Sequence, residues 1–174
     1  MPRTPAVIDA LDRPHPETTA GTRWQLVADT VMGGVSAGRM TRETVGGRPA
    51  VRLAGRVSLE NDGGFLQLAL DLAPDGGPVD ASGFAGIEMD VLGNGERYNV
   101  HLRTADVMRP WQSYRHPFET APAWRTLRLP FDDFVPHRVD APLDTATLRR
   151  IGIVAIGRAF DADVAVGRLG LYAA

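Results

Sequence analysis

The sequence predicts an all-β sandwich of about ten strands. Three observations carry this. From Arg23 onward, short runs alternate apolar with polar residues. Gly, Pro, Asn and Asp punctuate those runs at regular spacing. Only one stretch, Asp144–Arg150, suits a helical turn, with Asp144 placed to cap and Leu148 to anchor. A closed barrel is the alternative packing of the same pattern.

Taken in order, Trp24–Ala28 reads as the first strand and ends at a glycine loop, Asp29–Ser36. Gly38–Val45 and Ala50–Leu59 follow, joined as a hairpin through Gly46-Gly47-Arg48-Pro49. Val51, Leu53, Val57 and Leu59 share one face of the second strand. A second glycine turn, Glu60–Phe65, leads into Phe65–Leu72, where Leu66, Leu68, Leu70 and Leu72 form a core face. The opposite face carries Phe65, Gln67, Ala69 and Asp71.

Gly86–Leu92 places Ile87, Met89 and Val91 inward and Glu88 and Asp90 outward. Asn94-Gly95 is the strongest hairpin signal in the chain and leads to Arg97–Ala105. There Tyr98, Val100 and Leu102 oppose Asn99, His101 and Arg103. Trp111–Glu119 and Trp124–Phe131 are further strands, the second with Arg125 at odds with its core face. Ile151–Gly157 is apolar on both faces, as a covered central strand is, and Val164–Tyr172 closes the domain. Residues 21–174 read as one domain. Residues 1–20, with four prolines among charges, read as a loosely ordered N-terminal extension in which Val7, Ile8 and Leu11 offer one surface contact.

Composition excludes several classes of chemistry. No cysteine is present, so disulfides, thiolate metal sites and cysteine nucleophiles are absent. All 19 basic side chains are arginine, which removes Schiff-base chemistry. A net charge of −2 gives no footprint for nucleic acid. No apolar run has the length of a signal peptide or a membrane span, so the expected location is the cytoplasm and no span is expected.

The glycine loops lack the lysine and the following helix of a phosphate loop. They read as turns, with Gly33, Gly34, Gly63 and Gly64 supplying conformation and Asp29, Ser36 and Asn61 bonding to backbone amides. Asp29, Asn61 and Asp62 are also oxygen donors of the kind calcium takes, but their spacing matches no fixed ligand pattern. His15, His101, His116 and His137 form no zinc-hydrolase spacing, and no serine stands in a nucleophile elbow. Glu88 and Asp90 share a face about 7 Å apart, the only carboxylate pair suited to glycoside hydrolysis; a solvated strand face is the plainer reading. No catalytic residue, cofactor or metal is expected.

What remains is a polar and aromatic stripe. Asn99, His101 and Arg103 lie on one face, Gln67 on a neighbour, and Trp111 and Tyr114 begin the next strand. Rings, amides and arginine on a sheet face suit a binding groove, for a sugar or for a protein partner.

Seven motifs in order resemble one family: Trp24; Asp29-x-x-Met32-Gly33-Gly34-x-Ser36; Asn61-x-Gly63-Gly64-Phe65; Gly93-x-Gly95-x-x-Tyr98 with Leu102-Arg103; Tyr114-Arg115-x-Pro117-Phe118; Trp124; and Leu129-Pro130-Phe131-x-x-Phe134-x-Pro136. Together, from about Thr22 to Tyr172, they are similar to the complex I intermediate-associated protein 30 family. The resemblance implies a galactose-binding-like jelly roll, similar to sugar-binding modules attached to glycoside hydrolases. It also implies a non-enzymatic, chaperone-like role, as mitochondrial members have in assembling respiratory NADH:ubiquinone oxidoreductase, and it supplies no catalytic residues. One departure stands out. The family carries an arginine on the strand after Gly-Gly-Phe, where this chain reads Leu66-Gln67-Leu68-Ala69. Arg103 and Arg56 are the nearby candidates to replace it.

Two classes of function follow. One is an assembly-factor-like protein that binds a protein partner, with a respiratory or other membrane complex as the expected one. The other is a carbohydrate or small-ligand module that uses the polar and aromatic face.

Overall fold

The structure, a computed structural model, describes residues 6–174. Among these residues, twelve strands pack as two antiparallel sheets. They are β1 (Val7–Asp9), β2 (Gln25–Ala28), β3 (Ala37–Val45), β4 (Arg48–Val57), β5 (Phe65–Asp71) and β6 (Gly86–Gly93). Then come β7 (Arg97–Thr104), β8 (Ser113–Glu119), β9 (Arg125–Pro130), β10 (Val135–His137), β11 (Leu148–Ile156) and β12 (Phe160–Tyr172). One sheet runs β3-β4-β12-β6-β9, with β1 added beside β12; the other runs β10-β8-β7-β11-β5-β2. The alternation predicts such a sandwich, and the family resemblance implies its jelly-roll-like form.

The core lies between the sheets and is filled by the residues whose parity marked them. Leu66, Leu68 and Leu70 of β5, Tyr98, Val100 and Leu102 of β7, and Ile87, Met89 and Val91 of β6 are all buried there. Ile151, Ile153 and Ala155 of β11 complete the centre, and Val154 on the other face is also buried. Fully burying each large aliphatic side chain contributes about 1.5–3 kcal/mol, so this interdigitated layer is the main source of stability.

The β3–β4 hairpin forms where expected but with a tighter turn, because Arg48 and Pro49 already pair within β4. Gly46 and Gly47, at φ 54 and 81, make the two-residue turn between Val45 and Arg48, because a primed turn needs both central residues left-handed.

Asn94-Gly95 does something else. β6 and β7 belong to different sheets, so this turn is a corner rather than a hairpin. The Asn94 side chain accepts from Tyr98 Oη at 2.6 Å and donates to Asp161 O at 2.9 Å, tying the corner to β12. The tight turn was legible. The sheet each strand joins is settled by packing elsewhere.

Two further expectations are corrected. The N-terminal extension is not loosely ordered over residues 6–20; residues 1–5 lie outside the described part. β1 pairs with β12, Ile8 is buried, and the buried Asp9 accepts from Trp24 Nε1 at 2.9 Å. An isoleucine that completes the core and a carboxylate that satisfies an indole are reasons for this segment to dock. The helical turn at Asp144–Arg150 shrinks to a 3₁₀ turn at Thr145–Thr147, capped by Asp144 through Ala146 N at 3.1 Å. Leu148 already belongs to β11, whose pairing with β5 and β7 outweighs further helix.

Candidate ligand-binding groove

Asp29 shows how the two glycine turns are built. Its buried carboxylate accepts from Ser36 N at 3.0 Å, Ser36 Oγ at 2.5 Å, Gly64 N at 2.6 Å and Phe65 N at 3.3 Å. Burial pushes its pKa up, but the Ser36 hydroxyl and the amides of Gly64, Ser36 and Phe65 outweigh that and hold it below the ordinary value. Ser36 Oγ in turn accepts from Ser58 N at 2.9 Å. The bonds therefore join the start of β3 and the end of β4 in one sheet to the start of β5 in the other.

The glycines are explained by the same carboxylate. A Cβ on Gly34 or Gly63 would come within 2.5 Å of Asp29 side-chain atoms. Gly33 and Gly64 take positive φ, 89 and 136. Asn61 has its own role in the left-handed region, at φ 56, rather than as an amide partner. Both Asp29 oxygens take donors from within the two turns, so this carboxylate serves as the acceptor that ties the turns together. Among the described residues no group of three or more His, Asp or Glu side chains is placed to hold a metal ion.

The outer face of the β10-β8-β7-β11-β5-β2 sheet carries a groove of about 1080 Å³. Register fixes its floor. Gly152 of β11 lies between Ala69 of β5 and His101 of β7, and His101 pairs with Arg115 of β8. One step along, Arg150 lies between Asp71 and Arg103. Gln67 folds across Gly152, where a Cβ would meet its Oε1 at 1.9 Å, so the glycine leaves the space that the amide occupies.

The expected stripe is largely assembled here. Gln67, His101, Arg103 and Trp111 all line the groove. Asn99 is on the same face of β7, paired with Val154 and Pro117, but lies beyond the lining. Tyr114 is a correction: it points into the core, fully buried, and its hydroxyl donates to Ala141 O at 2.7 Å. Trp111 is corrected in place too. β8 begins at Ser113, so Trp111 sits on the preceding turn and not on the strand. With β8 starting there, Ser113 and Arg115 take the groove face and Tyr114 the inner one.

Arg103 has a second task. Its Nη1 donates to Gln112 O at 3.1 Å and Arg109 O at 3.2 Å, pinning the loop that presents Trp111. Trp111 is half exposed, with the Arg109 guanidinium 6.0 Å from its ring centre. The opposite end of the groove, beside the glycine turns, is edged by Val31, Met32 and Leu59, which are 77%, 60% and 52% exposed, and by Phe65.

His101 is electrically silent. Burial, then the neighbouring Arg115 and His137, lowers its pKa to about 3, so it is neutral near pH 7, and its Nε2 is buried with no hydrogen-bond partner. Gln25, Arg115, Arg149 and Arg150 also line the groove and escaped the sequence reading. For Arg115 the signal was strand parity against Tyr114; for Arg150 it was hidden by the helical assignment.

Glu88 and Asp90 lie away from the groove, with their carboxylates held by neighbouring side chains. They stand on the other sheet, where Glu88 meets Arg128 at 2.8 Å and Arg168 at 3.3 Å, while Asp90 accepts from Thr126 Oγ1 at 2.6 Å. Arg56, on β4 with Asp161 at 3.3 Å, is on that sheet as well and cannot stand in for the absent family arginine in the groove. The groove-facing positions of β5 hold no cation; the groove's arginines come from β7, β8 and β11.

Solved structures share this architecture. The family 11 carbohydrate-binding module of cellulosomal cellulase Lic26A-Cel5E of Clostridium thermocellum aligns with TM-score 0.74 and 14% identity, covering 100% of this chain and 97% of that one. The family 11 module from Clostridium thermocellum in complex with a β-1,3-1,4-mixed-linked tetrasaccharide aligns with TM-score 0.71 and 15% identity, over 97% and 95% of the two chains. The family 30 module of cellulosomal cellulase Cel9D-Cel44B of Clostridium thermocellum gives TM-score 0.56 and 14% identity, over 86% and 98%. At such identities the likeness is one of fold. No curated protein matches the chain in sequence. Residues 14–167 match the sequence profile of complex I intermediate-associated protein 30, and the chain belongs to that family.

Proposed function

We propose that this protein is a non-enzymatic binding protein that associates with a partner polypeptide, in the manner of an assembly factor for a respiratory or other membrane complex. The observation that carries this reading is the groove itself: exposed aliphatic residues at one end, Trp111 at the other, and a polar, arginine-rich floor between. Exposed Val31, Met32 and Leu59 suit apolar side chains of a protein better than sugar hydroxyls. The family's description as associated with an intermediate of complex I supports the same reading. Among the described residues no helix is long and apolar enough to cross a membrane, so association with such a complex is read as docking to an exposed segment.

A second reading is carbohydrate binding. Trp111 and Phe65 are rings at opposite ends of a groove on a sheet face, in a fold shared with carbohydrate-binding modules. Against it, one face of Trp111 is approached by Arg109 and the rim at the other end is aliphatic.

Affinity capture under mild detergent, with wild-type and Met32→Asp proteins side by side, tests the choice. Recovery of subunits of a membrane complex by wild type, lost with Met32→Asp, is the expected result. Recovery of no such subunit by wild type, or equal recovery by wild type and Met32→Asp, overturns it.

A further inference from the structure

The groove is a cationic spot on an acidic protein. The chain carries 21 acidic against 19 basic residues, yet the groove is lined by Arg103, Arg115, Arg149 and Arg150 against only Asp62 and Asp71. Arg150 is accounted for: its Nε lies 3.2 Å from Asp71 Oδ1 and its Nη2 donates to Gln25 Oε1 at 2.9 Å. Arg103 and Arg115 are not neutralised in this way. Arg103 donates to backbone carbonyls, and Arg115 Nε donates to Ser113 Oγ at 2.9 Å.

Both are partly buried, and both have their pKa lowered. Desolvation is the main cause, followed for Arg103 by Arg150 and Arg149 and for Arg115 by Arg138. Two guanidinium groups therefore sit in a partly desolvated floor with like charges as their electrostatic neighbours. His101 between them is neutral and supplies no counter-charge. Guanidinium left in that state gains most from a carboxylate, whose two oxygens match its planar fork.

Length and edges add to charge. From the Arg103–Arg150–Asp71 row to the Phe65–Ile156 pair the floor follows β5, and at about 3.3 Å per residue this is the length of roughly six residues of extended chain. Apolar contacts wait at both ends.

We infer that the groove receives an extended acidic segment of a partner polypeptide, its carboxylates pairing with Arg103 and Arg115 and its flanking apolar residues resting on Trp111 and on Val31 and Met32. The inference rests on the reading of the groove as a polypeptide seat and adds the chemistry of what enters it.

The test is fluorescence anisotropy with a labelled peptide containing a run of glutamates between leucines, its glutamine counterpart, and an oligogalacturonate of similar length. The glutamate peptide should bind, weaken at high salt, and lose about tenfold or more in affinity for the glutamine version and on Arg115→Gln. Arg115 is the residue of choice because, among the described residues, its one side-chain bond is to Ser113, and melting curves verify that the variant folds. Arg97→Gln, at an exposed position outside the groove lining, should bind as wild type does. Equal binding of both peptides, or indifference to Arg115→Gln, overturns the inference and leaves a polypeptide seat of other chemistry. Binding of the uronate alone overturns both this inference and the proposed function.

Discussion

Asp29 accepts a hydrogen bond from the amide of Gly64 at 2.6 Å, across 35 residues of sequence, and so fastens one glycine turn to the other. Replacing Asp29 with Asn puts an NH₂ group against amide donors and should cost about 1–3 kcal/mol of stability, read from chemical unfolding. The pH dependence has a definite sign. The folded pKa is depressed, so the stabilisation is complete above the unfolded value near 3.9 and is lost as pH falls through the lower folded value. Wild type should lose that increment in acid, and Asp29→Asn should not.

Tyr98→Phe tests the corner between β6 and β7. The hydroxyl is buried, donates to Asn94 and accepts from Asp163 N at 3.0 Å, so its removal leaves both groups without their partner and should cost about 1–2 kcal/mol. Burial raises the Tyr98 pKa to about 12. Its contribution is complete below the unfolded value near 10 and is lost as pH rises from there toward about 12. Alkaline unfolding in that window should be shallower in the phenylalanine variant.

His101 governs the acid side. With a folded pKa of about 3 against an unfolded value near 6.5, the unfolded chain binds a proton that the folded one refuses. Stability contributed by neutral His101 is present above the unfolded value and falls as pH drops toward the folded one. At pH 4 the loss is roughly 3 kcal/mol by linkage. His101→Asn should flatten the fall in melting temperature between pH 6.5 and 4. Part of the slope should persist, because burial lowers the pKa of His137 as well.

Gly152→Ala separates groove shape from fold. The added methyl would collide with the far end of the Gln67 side chain, a flexible group that can swing away. A stability loss of about 1 kcal/mol or less is expected, together with a clear change in binding at the groove. A large loss of stability with unchanged binding would mean that Gln67 is held by the fold rather than by the space above the glycine.

Much of this architecture was legible because strand parity is a strong signal. Leu66, Leu68 and Leu70, or Tyr98, Val100 and Leu102, declare a core face without help from any other segment, and the opposite parity placed His101, Arg103 and Gln67 together. Parity does not say which of two sheets a strand enters, so Asn94-Gly95 was read as a hairpin. It is also only as good as the strand's start. Beginning β8 at Trp111 and treating rings as surface groups put Tyr114 on the wrong side, although its neighbour Arg115 marked the outward face. Arg150 was hidden because Asp144-Thr145-Ala146-Thr147 is a good local turn, and the pairing that draws Leu148 onward into β11 is non-local. β1 was missed because three residues give no period to read; what fixes Ile8 and Asp9 is the space and the indole waiting for them.

The turn at Asp29–Ser36 presents two surfaces with separate duties. Its inward side, through Asp29 and Ser36, clasps both sheets; its outward side offers Val31 and Met32 to the groove. Side chains at those two outward positions can be exchanged without disturbing a single bond of the clasp. A lineage built on this turn is therefore free to vary the side chains that edge the groove while inheriting intact the means by which it folds.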